Sequence, residues 1–175
     1  MKIRESEKLI LVMLAEIQEK LKIGESDPAF IQEAICSGNT WSLYWKYPGI
    51  FPDPEEEDPA VVLEVVEYLE MWSFIEQAFQ ELDGPTQTEI KEDKGLMSPV
   101  FHGFDGNNEC DHMSVARVMI EHLERFPEFA GRDLNSHCPM LPRYQKMLGI
   151  FQPIRETLAG VRRLSPDQLK TLLAY

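Results

Sequence analysis

The chain has 175 residues, 43% hydrophobic and 27% charged, which is typical of one globular domain or two small subdomains and excludes a disordered chain. Its longest wholly apolar run, LILVMLA at 9–15, is far shorter than the ~20 residues of a membrane-spanning helix, and no cleavage motif follows it. We therefore expect no membrane span and no signal peptide. Cys36, Cys110 and Cys138 are odd in number and lack C-x-x-C spacing, which indicates a reducing, cytoplasmic setting.

The net charge of −13 is concentrated in residues 53–93, which hold fourteen acids and one base, while the rest of the chain sums to zero. Such a surface repels phosphate, so nucleic acid is not an expected partner. The simplest interpretation is a solvated acidic face. The alternative is that this face meets a basic protein partner, for example the C-terminal segment of a neighbouring subunit.

Helical periodicity predicts an all-α, multihelical fold. The first helix is predicted over about 5–23. Ile10, Leu14, Ile17 and Leu21 mark one stripe, and further apolar residues widen it, so we expect this helix to be buried on several sides. A second helix is predicted from its cap at Asp27 to about residue 37.

Residues 38–59 form a proline-rich, acidic segment that is predicted to be irregular. Its aromatic residues could form a binding surface, but we favour a satellite hydrophobic cluster beneath a long loop. These aromatic residues are Trp41, Tyr44, Trp45, Tyr47 and Phe51.

The longest helix is predicted over about 59–83, capped by Asp58 with Pro59 at its first position. Its apolar residues follow alternating steps of three and four, which predicts packing between several helices at the centre of the fold. The seam consists of Val65, Tyr68, Trp72, Ile75, Phe79 and Leu82.

Residues 84–100 are interpreted as a mobile polar connection between an N-terminal helical subdomain, 1–83, and a C-terminal one, 101–175. Within the second subdomain we predict helices over about 106–125 and 141–151. A last helix is predicted to begin at Ser165, where Gln168 completes a capping box.

The stretch FHGFDGNNECDH at 101–112 is the densest group of potential ligands. A metal site or a hydrolase-type reaction could use His102, Asp105, Glu109 and His112. For zinc, His137 and Cys138 are further candidates, but their spacing matches no standard zinc pattern. Because the chain also lacks a nucleophile elbow and a phosphate-binding glycine loop, we assign no catalytic residue and expect no cofactor.

A structural role for this stretch is favoured. Asp105 is suited to cap the helix predicted from residue 106. Glu109 and His112 fall on the apolar side of that helix and should need buried partners, for which Arg117 and Arg125 are candidates.

FHGFDGNNE, followed by PMLPRYQKMLGIF, resembles the YfbU family of bacterial proteins, whose versions read F-x-G-F-D-x-x-x-E and P-M-W-x-x-Y-Q-x-M-L. The likeness extends from about 96 to 152, is weaker in the two long N-terminal helices, and fades over 38–58. Leu141 stands where the family pattern has Trp. The matching positions are Phe101, Gly103, Phe104, Asp105, Glu109, Pro139, Met140, Tyr144, Gln145, Met147 and Leu148.

The resemblance implies an all-helical, cytosolic protein that assembles into oligomers, and it supplies no activity or cofactor. Together with the excess of apolar helix surface, it leads us to expect a non-enzymatic protein that acts through protein contacts, self-association first. The alternative is a metal-binding protein or an enzyme that uses the group at 101–112.

Overall fold

The computed structural model describes residues 3–50, 58–158 and 163–175. This described part contains a single isolated bridge, between Phe104 and Asn135, and no strand, so the predicted all-α, multihelical fold is confirmed. None of its helices combines the length and the apolar character that a bilayer crossing demands. The helices are α1 Glu5–Leu21, α2 Pro28–Cys36, α3 Trp41–Lys46, α4 Ala60–Gln80, α5 Gly84–Glu92, α6 Cys110–Arg117, α7 Leu141–Thr157 and α8 Pro166–Leu173.

Helix α4 forms the centre of the fold and packs against α6, α7 and α8. Twelve of its 21 residues are buried, among them the seam residues from Val65 to Phe79. The sixth seam residue, Leu82, lies beyond the helix end but still packs against the core. The predicted cap is wrong in detail, because Pro59 occupies the N-cap and the carboxylate of Asp58 instead accepts a hydrogen bond from Trp45 Nε1 at 3.2 Å.

Residues 84–92 form a helix where a polar connection was predicted. The carboxylate of Asp83 accepts a hydrogen bond from the Thr86 amide at 2.8 Å, and Pro85 lies in the first turn. Ile90 anchors this helix in the core. Core residues from Phe30 to Leu173 belong to one cluster, and the division into two subdomains stays a prediction.

The segment predicted to be irregular contains α3. Trp41 is buried in the main core rather than in a satellite cluster, and Trp45 and Tyr47 pack against that core. The Tyr47 hydroxyl accepts a hydrogen bond from the amide of Asp27 at 2.9 Å, which ties α3 to the start of α2. Phe51 and the acidic residues 53–57 lie outside the described residues.

The C-terminal helices confirm some of the predicted ends and correct others. The helix predicted from residue 106 begins at Cys110, and after Arg117 it continues as a π-helical turn, Val118–His122. Helix α7 runs past its predicted end to Thr157 despite an internal proline. Helix α8 begins as predicted, because the Ser165 hydroxyl and the Gln168 side chain accept hydrogen bonds from each other's backbone amides.

Candidate functional site

Glu109 is the best-connected residue of the stretch 101–112. Its carboxylate is 5% exposed and accepts hydrogen bonds from the Asp105 amide at 2.9 Å and from the Met140 and Leu141 amides at 2.8 Å each. Met140 is the N-cap of α7, so the carboxylate satisfies N–H groups that the helix itself cannot pair. The predicted role of Arg117 or Arg125 as partner of Glu109 is therefore wrong.

Asp105 caps a turn rather than a helix. Its carboxylate accepts hydrogen bonds from the Asn108 side chain and from the Asn107 amide, the latter at 3.0 Å. These two bonds, with the Asn108 side chain contributing most, hold the pKa of Asp105 below its usual value. The prediction placed the helix four residues too early because an Asx turn and a helix cap use the same side chain.

Gly103, one of two glycines in the stretch 101–112, is required by close backbone packing. Gly103 has φ +80°, and a Cβ atom there would lie 2.0 Å from the carbonyl oxygen of Leu134. Next to it, the Phe104 amide donates to the Leu134 carbonyl at 2.9 Å, and the Tyr144 hydroxyl donates to the Gly103 carbonyl at 3.0 Å. Two loops and α7 are therefore joined at this glycine.

An aromatic cluster packs below this junction. The rings of Phe101, Phe104 and Tyr144 lie 5.7–6.0 Å apart, and all three side chains are buried. Burial raises the pKa of the Tyr144 hydroxyl well above its usual value. Gln145 is exposed, and the Tyr144 ring lies 5.8 Å from the ring of Tyr68 of α4, so this part of α7 packs against the central helix.

The candidate metal ligands are not brought together. His112 Nε2 lies 3.1 Å from the Glu64 carboxylate, while His102, His137 and Cys138 are exposed. Among the described residues, no group of three or more His, Cys, Asp or Glu side chains could hold a metal ion. The expected arginine partners lie elsewhere, since Arg117 is exposed and Arg125 stacks over Trp45 at 4.5 Å.

Many acids of the segment 53–93 are paired with C-terminal bases of the same chain. Arg155 of α7 contacts Glu70 at 2.6 Å and Glu67 at 3.1 Å, and Arg132 contacts the buried Glu76 at 2.7 Å. Further pairs join Glu81 to Arg163 and Glu89 to Lys170. The charge complementarity that was expected between neighbouring subunits is therefore partly satisfied by ion pairs within the chain.

Helix α1 carries an apolar face that nothing in the described chain covers. It packs on α2, and Ala15 is its one buried residue, so the prediction of burial on several sides is wrong. At 100° per residue, the uncovered apolar residues of α1 span an arc of about 140° roughly opposite α2. Their exposed fractions lie between 52% and 63%, and they are Leu9, Ile10, Met13, Leu14, Ile17 and Leu21.

An open apolar cavity of about 530 Å³ adjoins this face. Ile10 and Leu11 of α1 line one side, and Ile31 and Ile35 of α2 line another. Ile10 belongs both to the exposed face and to the cavity wall, so the two form one continuous apolar surface. The sequence showed the apolar stripe but gave no local signal of which helix would cover it.

Comparison with known proteins gives a family match over nearly the whole chain. The family model described as YfbU domain matches residues 1–173. The UPF0304 protein MJECS11 of Methanocaldococcus jannaschii is 39% identical over 57 residues, which are 30% of this chain and 34% of that protein. The alignment therefore spans about a third of that relative's length. Because the family model covers nearly the whole chain, the protein belongs to the YfbU family.

Proposed function

We propose that this protein is a non-enzymatic, cytoplasmic protein that acts through protein contacts, and that its first contact is with a second copy of itself through the exposed face of α1. The observation that carries this proposal is the row of six large apolar side chains, each more than half exposed. Exposed apolar surface of this extent on a globular protein indicates an interaction site.

The size of the face fits such a contact. Six large side chains exposed by more than half amount to on the order of 500 Å² of apolar surface. A standard protein interface buries about 800 Å² on each partner. Two such faces placed together, with the neighbouring cavity wall, are therefore large enough to sustain a dimer.

The charge of this region permits two copies to approach. The chain as a whole carries −13, but residues 4–22 hold four bases and four acids and are neutral. Like-charged chains repel over about a Debye length, roughly 8 Å at physiological salt. A neutral face is the place where two copies of an acidic protein repel each other least.

The test measures mass in solution. Wild-type protein, kept reduced, should form dimers or larger assemblies at tens of micromolar, with little dependence on salt because the contact is apolar. Leu14→Glu should yield monomers, because a charge in the contact loses its hydration. Leu63→Glu is the matched control, since Leu63 is 52% exposed but belongs to α4, with which α1 makes no extensive contact. A monomeric wild type, or equal effects of the two variants, would refute the proposal.

The alternative function, a metal-binding protein or an enzyme using His102, Asp105, Glu109 and His112, has less support. The Glu109 carboxylate is already engaged by three backbone amides, and binding an ion would require breaking those bonds. Elemental analysis of purified protein tests this alternative. Stoichiometric metal whose removal lowers the melting temperature would favour it over the first proposal.

A further inference from the structure

We infer that the two copies pair through α1 in antiparallel direction, about a two-fold axis that passes between Leu14 and Ile17. This inference rests on the proposed function and adds the direction and register of the contact. In this arrangement Ile10 packs against Leu21 of the partner subunit, and Leu14 packs against Ile17 of the partner subunit.

The spacing along α1 defines the contact line. Ile10, Leu14, Ile17 and Leu21 are separated by steps of four, three and four, which is the spacing that keeps a seam facing a second helix. All four side chains are more than half exposed. The order of the steps is the same in both directions along the helix. A two-fold axis at their midpoint therefore places each of these four residues opposite another of the four.

The charges at the two ends of α1 select the direction. One turn before Ile10, the seam position is occupied by Glu7, and the other end of the helix carries Lys20 and Lys22. In a parallel pair, Glu7 would face its own copy and the lysines would face theirs, and both contacts are repulsive. In an antiparallel pair, Glu7 lies beside the lysines of the partner subunit.

The monomer holds Glu7 and Lys22 at opposite ends of α1. The carboxylate of Glu7 accepts a hydrogen bond from the amide of Arg4 at 2.9 Å, so it remains at the N-terminal end of α1. The helix ends at Leu21, and Lys22 follows with φ +53°. Antiparallel pairing also places opposite ends of the two helix dipoles together, which parallel pairing does not.

Cysteine cross-linking distinguishes the two directions. With the axis between residues 15 and 16, position 21 lies level with position 10 of the partner subunit. The two copies of position 21 are then about 16 Å apart along the helix, at 1.5 Å per residue. A disulfide requires Cα atoms within roughly 7 Å. Ile10→Cys and Leu21→Cys should therefore cross-link with each other but not with themselves.

The experiment uses the full chain with Cys36, Cys110 and Cys138, all exposed, replaced by serine. Ile10→Cys and Leu21→Cys are purified separately, mixed under reducing conditions until subunits exchange, and oxidised; each is also oxidised alone. We expect a cross-linked dimer from the mixture at least tenfold in excess of that from either variant alone. Circular dichroism checks that the variants fold as the parent does.

Each of the other outcomes contradicts a specific proposal, either the antiparallel direction of pairing or the self-association through α1. Efficient cross-linking of Leu21→Cys alone shows parallel pairing and overturns the inference while leaving the proposed function intact. A dimeric parent in which no combination cross-links shows that another surface is used, which overturns both. A monomeric parent before any cysteine is introduced overturns the proposed function directly.

Discussion

Helices α1 and α4 have the same kind of sequence and opposite surroundings. Both carry a seam of apolar residues at steps of three and four, yet α4 has twelve buried residues of 21 and α1 has one of seventeen. Helix α4 packs against α6, α7 and α8. Helix α1 makes extensive contact with one described helix, α2. The periodicity of a helix reveals an apolar face, and only the tertiary arrangement reveals whether the chain itself covers that face.

The strongest test of this contrast compares one substitution on each helix. Trp72 of α4 is fully buried, so Trp72→Ala should lower the free energy of unfolding by about 3–5 kcal/mol, through lost burial and the cavity left behind. Leu14→Ala on α1 should lower the free energy of the monomer by less than about 1 kcal/mol, because its side chain is already largely in water. Urea unfolding at a concentration low enough to keep the chains monomeric measures both. Equal losses would contradict the contrast.

The stability of the buried core also depends on the carboxylate of Glu109, which accepts hydrogen bonds from three backbone amides. Glu109→Ala leaves two buried amides and one partly buried amide without an acceptor, and we expect a loss of about 2–4 kcal/mol in the free energy of unfolding. Glu109→Gln is the matched control, because its carbonyl oxygen still accepts from the α7 amides, and it should lose less. A wild-type stability in the alanine variant would show that water replaces the carboxylate.

Substitutions on the exposed face of α1 should change self-association rather than the stability of the monomer. Leu14→Ala should raise the dissociation constant of the proposed dimer about ten- to a hundredfold, because the proposed two-fold contact would lose two leucine side chains. Sedimentation over a concentration series measures the constant, with Leu63→Ala as the control. An unchanged constant would place the contact elsewhere.

The smallest expected effect concerns pH. The pKa of Asp105 lies below its usual value in the folded protein, since the Asn108 side chain and the Asn107 amide bond its carboxylate. The ionised group therefore stabilises the fold fully above the unfolded pKa of about 3.9, and this stabilisation is lost as the pH falls through the folded pKa. Asp105→Asn should thus lower Tm slightly and evenly above about pH 5, and the difference should shrink below about pH 4. A difference that grows on acidification would contradict this assignment.

Local signals predicted those features whose partners are near in sequence. The starts of α2 and α8 were correct because Asp27 and Ser165 accept hydrogen bonds from amides three residues later. Helix α5 is missed because the sequence predicts the long helix to end near residue 83 and a polar connection to follow. Gly84-Pro85 is typical of a helix end, although Asp83 and Pro85 also form the start of a new helix. Residues 83–85 therefore carry signals for a helix end and for a helix start. Burial of Ile90 in the core stabilises the new helix.

Contacts between residues that are far apart in the sequence could not be predicted from it. The importance of Glu109 was predicted, but its partners, the amides of Met140 and Leu141, lie more than thirty positions away and have no side-chain signature. Asn135 was not singled out, yet its side-chain oxygen accepts from the Gly106 amide at 3.0 Å and fixes the turn. Backbone donors cannot be inferred from residue types, so this part of the site required the fold.

The bonds of Glu109 have a kinetic consequence. The first amides of α7 and the amide of Asp105 share one acceptor group, so opening either segment exposes the donors of the other. The two segments should therefore behave as one cooperative unit in deuterium labelling, with these three amides exchanging in a common opening event. The amides at the exposed N-terminal end of α1, which have no such long-range acceptor, should exchange first.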